Sequence, residues 1–212
     1  MHLDLNSCFA TIEQQANPLL RGKPIVVAAY TTARGCILAA SVEAKRLGIK
    51  TGMRVSDGKN LYSRLIVLPP DPEKYRWVNH KLRTLLSSYT PYLSVESIDE
   101  MVMDLAHATQ KDTISVANEI KRRIKQEIGE WLTVSIGIAP NRYLAKVASG
   151  LHKPDGLDII TRENIEVVFQ TMKLEDLCGI KEGNAGRLRL AGITTPVEFY
   201  QSSAVTLVGA LH

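Results

Sequence analysis

Short apolar runs separated by amphipathic stretches make up most of the chain. His2-Leu3-Asp4-Leu5 reads as a short strand with an acid inside it, and Asn6-Ser7, two cap-type residues, open a helix through Gln15. Pro24 to Tyr30 and Cys36 to Ala40 read as buried strands from their β-branched and small apolar content. Ser41 to Leu47 forms a short helix ending at Gly48, with Lys45 and Arg46 in its last turn where cations suit the helix dipole. Gly52 and Gly58 mark turns, and Leu65 to Leu68 closes the region before Pro69-Pro70.

Asp71 caps a helix from Pro72 to about Tyr89, with Tyr75, Val78, Leu82, Leu85 and Leu86 on one stripe. Two strands follow, Tyr92 to Ile98 and Met101 to Leu105, with Asp99-Glu100 at the turn between them. A helix over Thr113 to Ile128 keeps Val116, Ala117, Ile120, Ile124 and Ile128 on one face. Lys121, Arg122, Arg123 and Lys125 lie off that face and read as a solvated surface rather than a DNA contact. A strand over Leu132 to Ile138, a helix capped by Asn141 and reaching Leu151, and a strand over Leu157 to Ile160 complete the pattern. That order fits an α+β fold of the ferredoxin-like kind, an antiparallel sheet with two helices on one face.

From Thr161 onward the chain reads as helical. Leu177 to Ile193 has a Gly179-Ile180 turn, a short helix and a closing Gly192-Ile193, the outline of a helix-hairpin-helix unit. Turn amides in such a unit can take a nucleic-acid phosphate at a helix N-terminus, which makes Gly179, Lys181 and Gly183 candidate DNA contacts. Lys181 stands where the motif has a second glycine and adds positive charge.

Composition narrows the reading. The 212 residues are 45% apolar, enough for a real core, and no run approaches the roughly 18 apolar residues of a membrane helix. Asp4 and Asn6 near the start do not suit a signal peptide, so the expected location is the cytoplasm, with no membrane partner. Three cysteines have neither metal-ligand spacing nor an even count. A net charge of +4 permits a polyanionic partner without demanding one.

Ser97-Ile98-Asp99-Glu100 carries the chemistry. Successive strand residues point to opposite faces, so two adjacent acids serve one site only where the chain turns. Two carboxylates a few ångströms apart repel and raise each other's pKa, a cost that a divalent cation removes. Mg2+ takes this kind of ligand set, one or two carboxylates plus substrate phosphates. Alone, the pair reads first as a solvated turn. In the ferredoxin-like arrangement the strand of Asp4 can lie beside it, and three carboxylates at one sheet edge outline a two-metal site.

Seven segments, in order, resemble the Y-family translesion DNA polymerases. They are Asp4-Leu5-Asn6-Ser7-Cys8-Phe9-Ala10, Leu20 to Val27, Glu43 to Ile49, Ser97-Ile98-Asp99-Glu100, Ser135-Ile136-Gly137-Ile138-Ala139, Ala145-Lys146-Val147-Ala148 and Lys153-Pro154-Asp155-Gly156. The resemblance covers nearly the whole chain. It implies a discontinuous palm at 1–5 and 72–160, fingers at 6–71 and a truncated thumb at 161–212. The family's little-finger domain is absent, which points to a catalytic-core fragment.

The activity so implied is template-directed DNA synthesis of the error-prone, damage-bypassing type, on primer-template DNA and dNTP. Asp4, Asp99 and Glu100 match the metal-binding carboxylates, and the Leu5 carbonyl completes the nucleotide-bound ion. The cofactor implied is Mg2+, as two ions, with Mn2+ able to substitute. Phe9 falls at the steric gate against a 2′-hydroxyl. Cys8, Phe9, Ser41, Lys45 and Lys153 fall at the nucleotide. Where the DinB type has a tyrosine and an arginine against the triphosphate, this chain has Val42 and Lys45, closer to the UmuC-like branch. A sliding clamp or accessory mutasome subunits are partners expected through regions outside this chain. The competing reading is a non-catalytic mutasome accessory protein that binds DNA on the same fold, which should have lost one of the three acids. A nucleotide cyclase shares the sheet and paired acids but not the Lys153-Pro154-Asp155-Gly156 loop or the helix-hairpin-helix.

Overall fold

The computed structural model describes residues 1–105 and 112–211. The expected palm and thumb segments therefore each include residues outside the described range. In chain order come β1 (His2–Leu5), α1 (Cys8–Ala16), β2 (Ile25–Ala28), β3 (Ile37–Ala40), α2 (Val42–Arg46), α3 (Val55–Leu61), β4 (Ile66–Leu68) and α4 (Pro72–Ser87). There follow β5 (Leu93–Val95), β6 (Glu100–Met103), α5 (Thr113–Arg123), β7 (Val134–Ile138), α6 (Arg142–Leu151) and β8 (Leu157–Ile159). The last elements are α7 (Ile165–Gln170), α8 (Glu182–Leu190), α9 (Pro196–Gln201) and α10 (Ala204–Leu211). The chain is of mixed α+β class, as expected.

Among the described residues a five-stranded sheet runs in the order β5-β6-β1-β7-β8. β1 lies at its centre and is antiparallel to both neighbours, with Leu3 opposite Met101 on one side and Ile136 on the other. The period of two along β1 divides its side chains. Leu3 and Leu5 enter a core with Met101, Met103, Val134 and Ile136, closed by α4 (Tyr75, Val78, Leu82) and α5 (Val116, Ile120). His2 and Asp4 point to the opposite face, where Ser149 of α6 meets the His2 ring. Gly137 explains how α6 lies so close. A Cβ there would sit 2.0 Å from the Ala145 carbonyl oxygen.

Four sequence expectations are corrected. The sheet is mixed rather than antiparallel, because α6 is a crossover that returns the chain to run β8 parallel to β7. Glu100 begins β6 instead of sitting in the turn. The turn is Glu96 to Asp99, closed where the Glu96 and Ser97 amides both donate to the Glu100 carbonyl. Gly58 is a packing residue inside α3 rather than a turn, since a Cβ there would lie 2.9 Å from Leu65 and 3.3 Å from Ile37. The helix expected over Thr113 to Ile128 is α-helical to Arg123 and continues as a π-helical turn over Ile124–Ile128.

A second sheet, in the order β3-β2-β4, pairs β2 antiparallel to β3 and parallel to β4. α1 joins the two sheets. Its Phe9 ring stacks on Tyr75 of α4 at 4.3 Å, and its buried Glu13 accepts from the Tyr75 hydroxyl and from Lys74 Nζ. The region after β8 is helical, packed around Ile165, Phe169, Leu177, Ile180 and Leu188 with Val147 and Ala148 of α6. Gly179 is left-handed at φ +86, whereas Lys181 is extended at the N-cap of α8, so that turn needs no second glycine. Among the described residues no helix is long and apolar enough to cross a membrane.

Candidate active site

The site grows from the β1–β6 ladder. Asp4 is the direct cross-strand partner of Glu100, and the Leu5 amide donates to the Asp99 carbonyl at 2.9 Å. Asp99 is fixed from behind by Ser97, whose hydroxyl donates to Asp99 Oδ1 at 2.6 Å and accepts from the Glu100 amide at 3.0 Å. The three expected acids therefore occupy adjoining backbone positions. Asp4 lies on the face of the sheet covered by α6.

Two lysines meet these acids. Lys153 pairs with Asp4 Oδ2, and Lys146 of α6 lies 2.6 Å from Glu100 Oε2. Burial pushes the Asp4 carboxyl above its ordinary value, Lys153 pulls it back, and Asp99 and Glu100 add smaller upward pushes. The hydrogen bond to Glu100 raises the Lys146 ammonium. Burial, and then the Asp99 and Asp4 charges, push the Cys8 thiol far up, which keeps it protonated.

His2 sits behind the pair. Ser149 donates its proton to the Lys146 carbonyl, so His2 Nδ1 is assigned as the donor to Ser149 Oγ. Its Nε2 then carries a lone pair 3.6 Å from Glu100 Oε2, with no hydrogen-bond partner among the described residues. Burial holds the ring below its ordinary value.

A cavity of about 550 Å3 opens beside the acids. Asp4, Asp99, Cys8, Phe9, Lys45 and Lys153 line it, with Leu5 and Val42 among the remaining walls. Partial burial first, and then the Lys153 charge, hold the Lys45 ammonium below its ordinary value. Glu100 stands outside this lining, turned to Lys146. Ser41 is not brought to the cavity. It is fully buried, and its hydroxyl accepts from the Ala44 and Ile25 amides and donates to the Lys23 carbonyl, so no capacity is left for a nucleotide. Gly179, Lys181 and Gly183 lie in the helical region and do not line the cavity.

The donor set is one of hard oxygens, three carboxylates and a backbone carbonyl, the chemistry that suits Mg2+. As arranged, no three His, Cys, Asp or Glu side chains among the described residues converge on one point able to hold an ion. Lysine ammoniums neutralise Asp4 and Glu100, and those carboxylates fit a divalent cation once the lysines turn away.

Residues 3–150 match the impB/mucB/samB family. The chain belongs to that family. Within it, the chain is similar to DNA polymerase IV of Xanthomonas euvesicatoria pv. vesicatoria (strain 85-10), at 35% identity over 95% of this chain and 56% of the relative. It is likewise similar to DNA polymerase IV 1 of Bacillus subtilis (strain 168), at 36% identity over 92% of this chain and 47% of the relative. Among solved structures it resembles an insertion ternary complex of Dbh DNA polymerase, with a TM-score of 0.88 and 28% identity over 99% of this chain and 62% of that one. DinB from Sulfolobus solfataricus gives 0.85 and 27% over 99% and 64%. The chain thus spans about half the length of the curated relatives it matches, and the resemblance to Y-family polymerases read from its motifs holds.

Three residues beside the candidate site escaped the sequence reading. His2 was legible, since a period of two puts it on the same strand face as Asp4. Lys146 stood inside a quoted motif, but its reach to Glu100 depends on the close α6–β7 packing that Gly137 allows. Asn6 was read as a helix cap. Ser7 takes that position with a left-handed φ of 49, and the Asn6 side chain instead bonds Ser135 Oγ and the Asp155 amide.

Proposed function

We propose that this chain carries the catalytic core of a template-directed DNA polymerase of the translesion type, adding deoxynucleotides to a primer 3′ end in damage bypass by two-metal catalysis. The observation that carries the reading is Asp4 opposite Glu100 and beside Asp99, with Asp4 and Asp99 lining a cavity whose other walls supply Phe9, Lys45 and Lys153. The polymerase names of the relatives support it. The palm would be 1–5 and 72–160, the fingers 6–71 and the thumb 161–212. In support, the five-stranded sheet draws its strands from the first two segments and the three-stranded sheet from the third. The turn at Gly179 would serve as a helix-hairpin-helix, with Gly179, Lys181 and Gly183 toward DNA phosphates.

Asp4, Asp99, Glu100 and the Leu5 carbonyl would hold two Mg2+ ions, or Mn2+ in their place. Such ions, when bound, lower the pKa of a primer hydroxyl and neutralise charge on the triphosphate and the departing pyrophosphate. The remaining work falls to the chain. Lys153, released from Asp4, and Lys45 take phosphate oxygens, and the Cys8 and Phe9 amides at the start of α1 add donors. The Phe9 ring, backed by Tyr75, leaves no room for a 2′-hydroxyl. Val42 brings no phenol donor and Lys45 no bidentate fork, so nucleotide affinity is weak. A sliding clamp or mutasome subunits would engage regions outside this chain.

The test is primer extension with Mg2+ opposite undamaged and abasic templates, using a form extended to the length of the longer relatives, beside its Asp99→Ala variant. Extension should fall by at least about a hundredfold in the variant. Absence of extension by the parent, or full activity in Asp99→Ala, sinks the reading. DNA binding without extension favours the accessory protein.

A further inference from the structure

Lys153 is followed by Pro154 and Asp155, and Asp155 has a left-handed backbone at φ +59. A non-glycine residue persists there only when its surroundings hold it. Several contacts do so. The Asp155 amide donates to Asn6 Oδ1 at 2.7 Å, and its two carboxylate oxygens lie 3.1 Å from Lys121 Nζ and 3.0 Å from Lys125 Nζ. Lys121 Nζ also donates to the Asp155 carbonyl and, at 3.3 Å, to that of Gly156. Lys121 and Lys125 stand four apart where α5 passes into its π-helical turn, so one carboxylate meets both.

Lys125 stays on the solvated face that the sequence suggested, but Lys121 does not. The Lys121 side chain is only 16% exposed. The same loop is tied to the strand of Asp4 through Asn6, which donates to Ser135 Oγ at 2.9 Å, and the Gly156 amide donates to that hydroxyl at 3.3 Å. Lys153 leaves this pinned loop and reaches Asp4 across the cavity.

We infer that Asp155, held by Lys121 and Lys125, is a positioning residue that aims Lys153 at the nucleotide. The substrate half of the inference rests on the polymerase reading above. A loop without its anchor leaves Lys153 its charge but lets the ammonium wander, so nucleotide binding suffers before the chemical step does.

The test compares Asp155→Asn, Asp155→Gly and the double variant Lys121→Met/Lys125→Met with the parent and with Lys153→Ala. Amide hydrogen exchange over 152–156 should quicken by about tenfold when the anchor is removed. The dNTP KM should rise about threefold to tenfold with kcat changed by less than about twofold. Adding Asp155→Asn to Lys153→Ala should raise KM no further. Asp155→Gly keeps the left-handed turn without the carboxylate, so its KM rise separates lost anchoring from misfolding. Unchanged exchange in the lysine double variant overturns the anchoring, and a KM effect additive with Lys153→Ala overturns action through Lys153. A parent that extends no primer sinks the polymerase reading alone, and exchange still decides the anchoring.

Discussion

Asp4 and Glu100 face each other across the β1–β6 ladder, and each carboxylate is met by a lysine, Lys153 and Lys146 respectively. The acid pair is thus compensated from the loop before β8 and from α6. Any cation that takes these oxygens competes with ammonium groups already there.

That competition is measurable at Glu100. With Lys146 replaced by Met, the carboxylate loses the ammonium 2.6 Å away, and Mn2+ binding should tighten about threefold to tenfold. Titration of free Mn2+ by electron paramagnetic resonance reads this without any turnover. Weaker binding in Lys146→Met shows instead that the lysine holds Glu100 in place.

Phe9 owes its orientation to Tyr75. The rings lie 11° from parallel, so the Phe9 ring is backed by a stacked partner. On the polymerase reading proposed above, Phe9→Leu should lower the preference for deoxynucleotides over ribonucleotides by at least about tenfold. Tyr75→Leu should lower it less. Competition between matched dNTP and rNTP in single-nucleotide insertion measures both.

Gly137 sets the depth at which α6 packs. An alanine there puts its Cβ 2.0 Å from a backbone oxygen and 2.3 Å from the Ser149 amide nitrogen, atoms that cannot rotate aside. Gly137→Ala should therefore cost about 3 kcal/mol or more in denaturant unfolding. Lys146 would move with α6, so the Glu100 contact should be lost as well.

Asp71 caps α4 by accepting from the Lys74 amide at 3.1 Å, and that bond holds its carboxyl below the ordinary value of 3.8. A depressed carboxyl contributes stability above its unfolded value and loses that contribution as pH falls through the folded one. Asp71→Ala should lower the melting temperature at pH 7, and the gap to the parent should narrow below about pH 3.8. Thermal melts of both proteins from pH 2.5 to 7 check the sign.

Local chemistry made much of the fold legible. Asp71, Pro72 and the stripe from Tyr75 to Leu86 mark α4, and Asn141 marks α6, because caps and helical periodicity act within a few residues. Long-range effects were hidden. Whether Glu100 belongs to a turn or a strand depends on the register with β1, about a hundred residues away, and whether Gly58 bends the chain or packs inside a helix depends on Leu65 and Ile37. The acids were identified by a motif resemblance over the whole chain, since adjacent carboxylates alone are ambiguous. The lysines that neutralise them arrive from an element and a loop whose approach no local pattern encodes.

The central place of β1 also sets an order of assembly. β2, β3 and β4 lie within residues 25–68 and can pair as soon as that stretch exists, whereas Leu3 finds its partners only at Met101 and Ile136. Contacts so distant in sequence form slowly and late. During synthesis β1 must wait, unpaired, for β6 and β7, about a hundred residues and more behind it. The acids therefore come together only after about a hundred further residues have been made, and no short nascent chain presents them as a set.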